Sequence, residues 1–456
     1  MARAKKEAAL TPEERLQAAL VPDWEWPYKL PENWCWVILG KTVSIKRGAS
    51  PRPIKQYITE DCSGVNWIKI GDTDEGKYVS SVKEKITQEG AKKSVFVDKG
   101  TLLLSNSMSF GRPYILNVDG CIHDGWLAIT PSDCVEKEFL YYALLASKWY
   151  FEQVAVGTAV RNLNSERVSD TPIPLPPLVE QQRIVDRIES LFAKLDEAKE
   201  KAQTVLDSFE KRKAAILHKA FTGELTANWR KKHGIGMESW ETKPLGELTD
   251  IISSKRIYKE EYTASGVPFF RSSEVVELYD TGVAIPAYFI SEERYNEIKQ
   301  QYGVPQEGDL LVTSVGTIGK TWIVDGRKFY YKDGNLTQVK QCANMIMRYL
   351  QLYITSTGFA DQISDSVAGS AYNALTIVKF KRISLPVPCI AEQTEIVRIL
   401  DDLFAKEQQA KEAAEAVLKK IDLMKKAILA RAFRGELGTN DPNDEPAVEL
   451  LKKVLE

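Results

Sequence analysis

The sequence predicts an α+β chain in which two related globular α/β domains are each followed by a long helix. Three observations predict it. First, the chain repeats itself: Glu180-Gln181 returns as Glu392-Gln393, and Leu191-Phe192-Ala193-Lys194 as Leu403-Phe404-Ala405-Lys406, a constant offset of 392 − 180 = 212. Between Val179 and Leu225, 23 of 47 positions match their partners at that offset, far beyond coincidence. Second, both repeated stretches carry apolar residues at heptad spacing, the pattern of a helix with a packing seam. Third, the parts between the repeats read as short strands punctuated by turns.

Upstream of the helices the match loosens. Glu32-x-Trp34 with Leu39-Gly40 corresponds to Glu238-x-Trp240 with Leu245-Gly246 at an offset of 206. Gly100-x-Leu102-Leu103 pairs with Gly308-x-Leu310-Leu311 at an offset of 208. A drifting offset means insertions and deletions, so each copy has a divergent globular part and a nearly invariant tail.

Taken in order, residues 1–29 form an N-terminal helical extension, opened by the capping box Thr11-Pro12-Glu13-Glu14 with Pro at the first helical position. The first globular domain spans 30–175, with strands expected at Val65–Ile70 and Gly100–Ser105 and a helix over Glu138–Gln153. The first long helix takes 176–223, after Pro174, Pro176 and Pro177 and up to the stop at Gly223. Its seam runs Ile184, Ile188, Leu191, Leu195, Ala198, Ala202, Val205, Phe209, Arg212 and Ile216, with one polar break. A linker, 224–237, leads to the second globular domain, 238–385, with strands at Val267–Arg271 and Asp309–Thr313 and a helix over Asn344–Ile354. The second long helix takes 386–436, and 437–456 is a C-terminal tail. Its seam is Ile396, Leu400, Leu403, Glu407, Ala410, Ala414, Val417, Ile421, Met424 and Ile428. Roughly 43 residues at about 1.5 Å each give helices about 60 Å long. Two unrelated helices, each packed on its own domain, would explain the apolar faces; the shared register favours pairing of one with the other.

Composition excludes several classes. The 456 residues are 44% hydrophobic and 27% charged, too apolar for a disordered chain. No apolar run reaches the ~18 residues a membrane helix needs, and the basic start Met1–Lys6 lacks a following apolar stretch, so a cytoplasmic protein is expected. The six cysteines form no CxxC pair and only three histidines accompany them, which signals neither a zinc module nor a disulfide framework. A net charge of −2 gives no hint of nucleic acid by itself.

Catalytic motifs are missing or misleading. Ser314 to Thr321 resembles a phosphate-binding loop, but Ser314 stands where that loop needs its first glycine, so a tight turn after a strand is expected. His123-Asp124 has as its counterpart Lys332-Asp333-Gly334, which keeps the Asp and loses the His; a turn explains both copies. His218 aligns with Ala430 and is expected to be solvated or packed. No metal site and no catalytic constellation is expected.

Two variable domains, each ending in a Pro-containing lead and a repeated long helix, form a known pattern. Pro174-Leu-Pro-Pro-Leu-Val-Glu-Gln-Gln-Arg-Ile-Val resembles the helix entry of the specificity (S) subunits of Type I restriction–modification enzymes. Leu30-Pro-Glu-Asn-Trp34, Leu39-Gly40, Gly157-Thr158 with Asn162-Leu163, and the Phe-Thr-Gly-Glu-Leu ending at Leu225 are similar too, so the resemblance spans nearly the whole chain. The second copy departs from it at Val387-Pro388-Cys389 and Ala391. The resemblance implies that each globular part is a target recognition domain reading one half of a split, asymmetric double-stranded DNA site. It implies that the two helices form an antiparallel coiled coil, space the domains and dock two modification (methyltransferase) subunits. S-adenosylmethionine, ATP and Mg would belong to those subunits and to the restriction/translocase subunits, with no cofactor on this chain. The residues of the two seams expected to pair the helices are Ile184, Ile188, Leu191, Leu195, Val205, Phe209, Ile216, Ile396, Leu400, Leu403, Val417, Ile421 and Ile428.

Basic residues at matching places in the two copies are the candidates for DNA contact: Lys46-Arg47 with Lys255-Arg256, Arg112 with Lys320, and Lys69 with Arg271. For each of them a solvated surface role stands beside that one, and Trp67, Trp126 and Tyr114 are expected in the core. A coiled-coil scaffold whose two domains bind proteins is the competing class; a self-contained restriction enzyme is disfavoured by the empty motif list. The isolated chain is therefore expected neither to methylate nor to cut DNA. Activity that tracks the concentration of highly purified chain would refute this.

Overall fold

The computed structural model describes residues 11–107, 110–154, 163–367 and 374–456. The chain divides into two compact units, Met1–Lys201 with Val417–Glu456, and Ala202–Ala416. The boundary cuts both long helices, Leu178–Phe221 and Ile390–Ala432, of 44 and 43 residues, so each unit owns a piece of each. Among the described residues, no helix is long and apolar enough to cross a membrane.

The strands of unit one are β1 (Cys35–Ile38), β2 (Val43–Arg47), β3 (Ile58–Thr59), β4 (Val65–Ile68), β5 (Tyr78–Val79), β6 (Lys85–Ile86), β7 (Val95–Val97), β8 (Leu102–Ser105), β9 (Pro113–Leu116), β10 (Gly120–Ile122), β11 (Trp126–Pro131) and β12 (Pro172–Leu175). Those of unit two are β13 (Glu241–Pro244), β14 (Ile251–Ile252), β15 (Tyr262–Thr263), β16 (Val267–Phe270), β17 (Phe289–Ile290), β18 (Leu310–Thr313), β19 (Thr321–Ile323), β20 (Tyr330–Tyr331), β21 (Leu336–Val339) and β22 (Ser384–Val387). Their order shows the duplication that sequence identity alone had nearly lost. Unit one has sheets β3-β6-β4-β10-β7 and β2-β11-β8-β9-β5; unit two has β15-β17-β16-β20 and β14-β21-β18-β19. The matching pairs β4/β10 and β16/β20 are both parallel. Unit one adds β5 and β7, whereas unit two has the helix Ser272–Thr281 after β16.

Strands β8 and β18 are buried at every position because both of their faces are covered. On β8, Leu102 and Leu104 face the core that holds the long helices, and Leu103 faces a second cluster around Trp126 and Tyr114. In unit two Leu310 and Val312 face the helix side and Leu311 the opposite cluster. This alternation is the two-residue period of a strand. Trp67, Trp126 and Tyr114 are core residues, as expected.

The proline-containing leads are strands. Pro174 lies opposite Trp36 and Pro386 opposite Thr242 in two-stranded antiparallel ribbons. A two-stranded ribbon has only edges, where the missing proline N–H costs no ladder bond. Beyond each ribbon the helix opens with the repeated Glu-Gln pair, all four side chains fully buried. Gln181 accepts from the Glu136 amide at 2.7 Å and donates to the Cys134 and Pro176 carbonyls at 2.9 and 3.1 Å. Gln393 accepts from the Ile346 amide at 2.9 Å and donates to the Asn344 and Pro388 carbonyls at 3.2 and 2.9 Å.

The neighbouring glutamates hold whatever follows a long helix. In unit two Glu392 accepts from the Thr226 hydroxyl, the Arg230 guanidinium and the Trp240 indole at 2.6, 2.5 and 3.0 Å. In unit one Glu180 accepts from the Thr439 hydroxyl and from Arg183 at 2.6 and 2.9 Å, and Arg183 also pairs with Asp444. Burial pushes the Glu180 carboxyl above its ordinary range, against the pull of Thr439 and Arg183.

The helix segments run antiparallel inside each unit. In unit one Lys425 pairs with Asp196 and lies 5.0 Å from the Phe192 ring centre. In unit two Arg212 grips both oxygens of Glu407 at 2.7 to 3.1 Å, so the polar break of one seam answers that of the other. Such a pair fixes register more than it adds stability. The expected seam of the first helix is buried or half-buried throughout, with Ile184, Ile188 and Ala202 fully so.

The second helix requires a correction: Val417 is 40% exposed, and Ala410 and Met424 face solvent as well. Lys411, Leu418 and Lys425 occupy the inner face instead, one residue later at each step. Glu407, Ala414, Ile421 and Ile428 keep their places, so the inner face is still a heptad, with one of its two positions displaced by one residue. The displacement is tolerated because Lys411 and Lys425 lay their cations over Phe209 and Phe192 at 5.1 and 5.0 Å.

Two further differences concern the chain ends and one helix. The stretch read as a tail contains a helix, Ala447–Leu455, whose Ala447 and Leu451 enter the core beside Leu16 and Ala19 of the helix Pro12–Ala19. The expected helix over 138–153 is two, Lys137–Ala146 and Lys148–Val154. The capping box at Thr11 forms as expected, with both of its hydrogen bonds present.

Replacing Gln393 by Ala strands the buried Pro388 carbonyl. Denaturant unfolding of the full chain should show a loss of ~1–3 kcal/mol. A variant as stable as the parent would show that the buried amide is dispensable.

Candidate nucleic-acid interface

The candidate residues sit at equivalent places on the two frameworks. Lys69 and Arg271 directly follow β4 and β16, and Arg112 and Lys320 directly precede β9 and β19. Lys46 and Arg47 end β2, whereas Lys255 and Arg256 lie beyond β14, which is only two residues long. The settings differ because β2 continues its ladder with β11 as far as Arg47 opposite Leu127.

Arg47 and Arg256 share one job. Each reaches the turn after the parallel strand: Arg47 Nε donates to the Asp124 carbonyl at 3.2 Å, and Arg256 Nε to the Asp333 carboxylate at 2.8 Å. In unit one that turn is a polar hub. Asp124 accepts from the Ser50 hydroxyl at 2.6 Å, Arg52 lies 3.6 Å from its other oxygen, and Asn106 donates to its carbonyl at 3.0 Å. The Ser50 hydrogen bond, aided by the nearby Arg47 cation, holds the Asp124 carboxyl below its ordinary range despite part burial.

His123 accepts from the Gly125 amide through Nδ1 at 2.6 Å, and burial pulls its pKa down, so the ring is a neutral part of the turn. The second copy turns at the same place with Gly334 at φ +74°, a conformation open to glycine that Gly125 does not adopt. Ser314–Thr321 is a loop between the antiparallel strands β18 and β19, which is not the strand–loop–helix setting of a phosphate-binding loop. His218 is exposed on its helix.

Of the remaining candidate cations Lys46 is exposed, and the other five are engaged with carboxylates, carbonyls and rings. Lys69 pairs with Glu84, and Arg112 donates to the Glu75 and Gly76 carbonyls with its guanidinium 5.2 Å from the Tyr114 ring centre. Arg271 pairs with Glu274 at 3.0 Å over Tyr288, Lys320 with Asp280 at 2.7 Å over Tyr279, and the Lys255 ammonium lies 4.9 Å from the Tyr302 ring centre. A tyrosine ring orients a cation without neutralising it, as at Arg112 and Lys255, whereas Glu274 and Asp280 offset the charges of Arg271 and Lys320. Gly157, Thr158 and Asn162 of the sequence pattern lie outside the described residues; Leu163 donates its amide to the Asn106 carbonyl at 3.1 Å. Sequence reasoning missed Ser50, Arg52 and Asn106, although the recurring Asp of the turn marked the hub that they join. Among the described residues no group of three or more His, Cys, Asp or Glu side chains is placed to hold a metal.

Two α/β units of one strand order, divergent in their connections and built on repeated helices, define a tandem recognition architecture. The chain belongs to the family of the Type I restriction modification DNA specificity domain, which matches residues 31–206 and 237–419. It is 27% identical over 352 residues to the EcoBI specificity subunit of Escherichia coli, covering 71% of this chain and 72% of that one. It is 24% identical over 466 residues to the EcoKI specificity subunit of Escherichia coli K12, covering 93% of this chain and 96% of that one. The crystal structure of the HsdS subunit from Thermoanaerobacter tengcongensis has the same fold, with a TM-score of 0.62 at 22% identity over 91% of this chain and 100% of that one.

Proposed function

We propose that this chain is the sequence-reading subunit of a Type I restriction–modification complex. It recognises a bipartite, asymmetric site in double-stranded DNA, one half-site per unit. The observation that carries this reading is the contrast between a shared strand framework and unshared connections, β5 and β7 in one unit against Ser272–Thr281 in the other. One framework placed twice presents two readers, and different connections give them different half-sequences. A net charge of −2 fits a subunit whose partners contribute much of the phosphate contact.

On this reading the repeated helices dock two modification subunits and, with them, the restriction subunits, in the cytoplasm. S-adenosylmethionine, ATP and Mg act in those partners, where methylation and cleavage take place.

Swapping residues 238–385 for the matching part of another family member should change one half-site and leave the other intact, read by methylome sequencing. Alteration of both halves, or of neither, refutes one reader per half-site. Lys46 and Arg47 are adjacent on β2 and point to opposite faces, so one DNA duplex cannot use both alike. Arg47, on the side of the Asp124 turn, is the expected contact. Arg47→Ala should lower the slope of log affinity against log salt by about one if it meets a phosphate, or cost ~1–3 kcal/mol at one base pair if it meets guanine. Lys46→Ala should do much less. No loss from Arg47→Ala would remove Arg47 from the interface, and equal losses from the two would overturn the one-faced contact.

A further inference from the structure

The two copies part immediately after their shared Lys-Arg pair. The first continues Gly48-Ala-Ser-Pro-Arg-Pro-Ile-Lys-Gln-Tyr57, the second Ile257-Tyr-Lys-Glu-Glu-Tyr262. From Arg47 to Tyr57 there are three cations, Arg47, Arg52 and Lys55, and no carboxylate. From Arg256 to Tyr262, Arg256 and Lys259 are offset by Glu260 and Glu261, and Glu261 is itself tied to Arg294 at 2.7 Å.

The basic segment is held along its length. The Gly48 amide donates to the Trp126 carbonyl at 2.9 Å, that of Ala49 to Ile122 at 3.1 Å, and the Ser94 hydroxyl to the Ala49 carbonyl at 2.6 Å. Gly48 lies so close to the turn that a Cβ there would stand 2.1 Å from the His123 carbonyl oxygen, so the approach requires glycine. At the far end Tyr57 accepts the Thr87 amide on its carbonyl at 2.8 Å, and its hydroxyl accepts from Lys93 at 2.6 Å. Between these anchors the Arg52 side chain is 82% exposed, and Lys55 is exposed as well. Among the described residues Asp124 is the one carboxylate paired with Arg52, at 3.6 Å, and its other oxygen is taken by Ser50. Anchored backbone under exposed cations suits a repeating anion, where affinity comes from charge and position comes from the scaffold.

We propose that Arg47–Lys55 is a phosphate-binding ledge on unit one, with Arg52 and Lys55 as DNA-backbone contacts, and that unit two has no counterpart to it. This rests on the DNA-reading function proposed above. It makes the grip asymmetric: unit one carries more of the sequence-independent electrostatic affinity.

The test measures the salt dependence of binding to a duplex carrying the methylated sequence and to an unrelated duplex. It uses the full chain assembled with its modification subunits. Arg52→Ala and Lys55→Ala should each lower the slope by about 0.9, the value for one phosphate, and should weaken both duplexes alike. Arg52→Lys should restore most of the slope, and Lys259→Ala in unit two should leave it unchanged. Unaltered slopes in Arg52→Ala and Lys55→Ala, or an equal fall in Lys259→Ala, overturn the ledge while the DNA-reading function stands. A loss confined to one base pair of the methylated sequence makes Arg52 a base contact and overturns the phosphate assignment. Failure of the unmutated assembly to bind either duplex overturns the DNA-reading function and the ledge together.

Discussion

The rest of this architecture depends on a buried Glu-Gln pair at the start of each long helix. The glutamine closes the helix entry onto the domain before it, through Cys134, Glu136 and Pro176 in one unit and Asn344, Ile346 and Pro388 in the other. The glutamate secures the segment that follows a long helix, Thr439 in unit one and Thr226 with Arg230 in unit two. A buried carboxylate is costly unless its hydrogen bonds are complete. That demand specifies one geometry, which explains why the two residues recur together while their surroundings diverge.

Above this clasp the units keep strand order and vary the connections. Core strands such as β8 and β18 feed two apolar layers at once, so a change there disturbs both. Connections carry no such burden, and the chain uses them to hold arginines and lysines over tyrosines or against turn aspartates. The equivalent arginines Arg47 and Arg256 both brace the same turn, one through a carbonyl and the other through a carboxylate. Part of what looked like binding chemistry in the sequence is therefore bracing.

Much of this was legible in the sequence, and for physical reasons. The offset repeat exposed the duplication, the heptads exposed the helices, and paired apolar runs exposed β8 and β18, because each is a local pattern with a period. The first helix's seam matches its heptad residue for residue. The second is displaced by one residue at one of its two heptad positions, since the lysines that fill its inner face use long apolar stems that a hydrophobic pattern does not register. The helix Ala447–Leu455 went unread although Ala447, Leu451 and Leu455 recur at helical spacing. Nine residues at the end of a chain form a marginal helix without the core they pack on.

By itself the sequence determined the class: a duplicated α+β chain on paired helices, with matched basic positions in the two copies. Periodicity and repetition are properties of neighbours along the chain, so they survive without coordinates. Only the tertiary structure decided which cations are engaged and which are presented. It brought Asp124 to Ser50 and Arg52, more than seventy residues away in the chain, and left Arg52 facing solvent. Charge is written residue by residue, but its availability depends on which carboxylates and carbonyls folding places beside it.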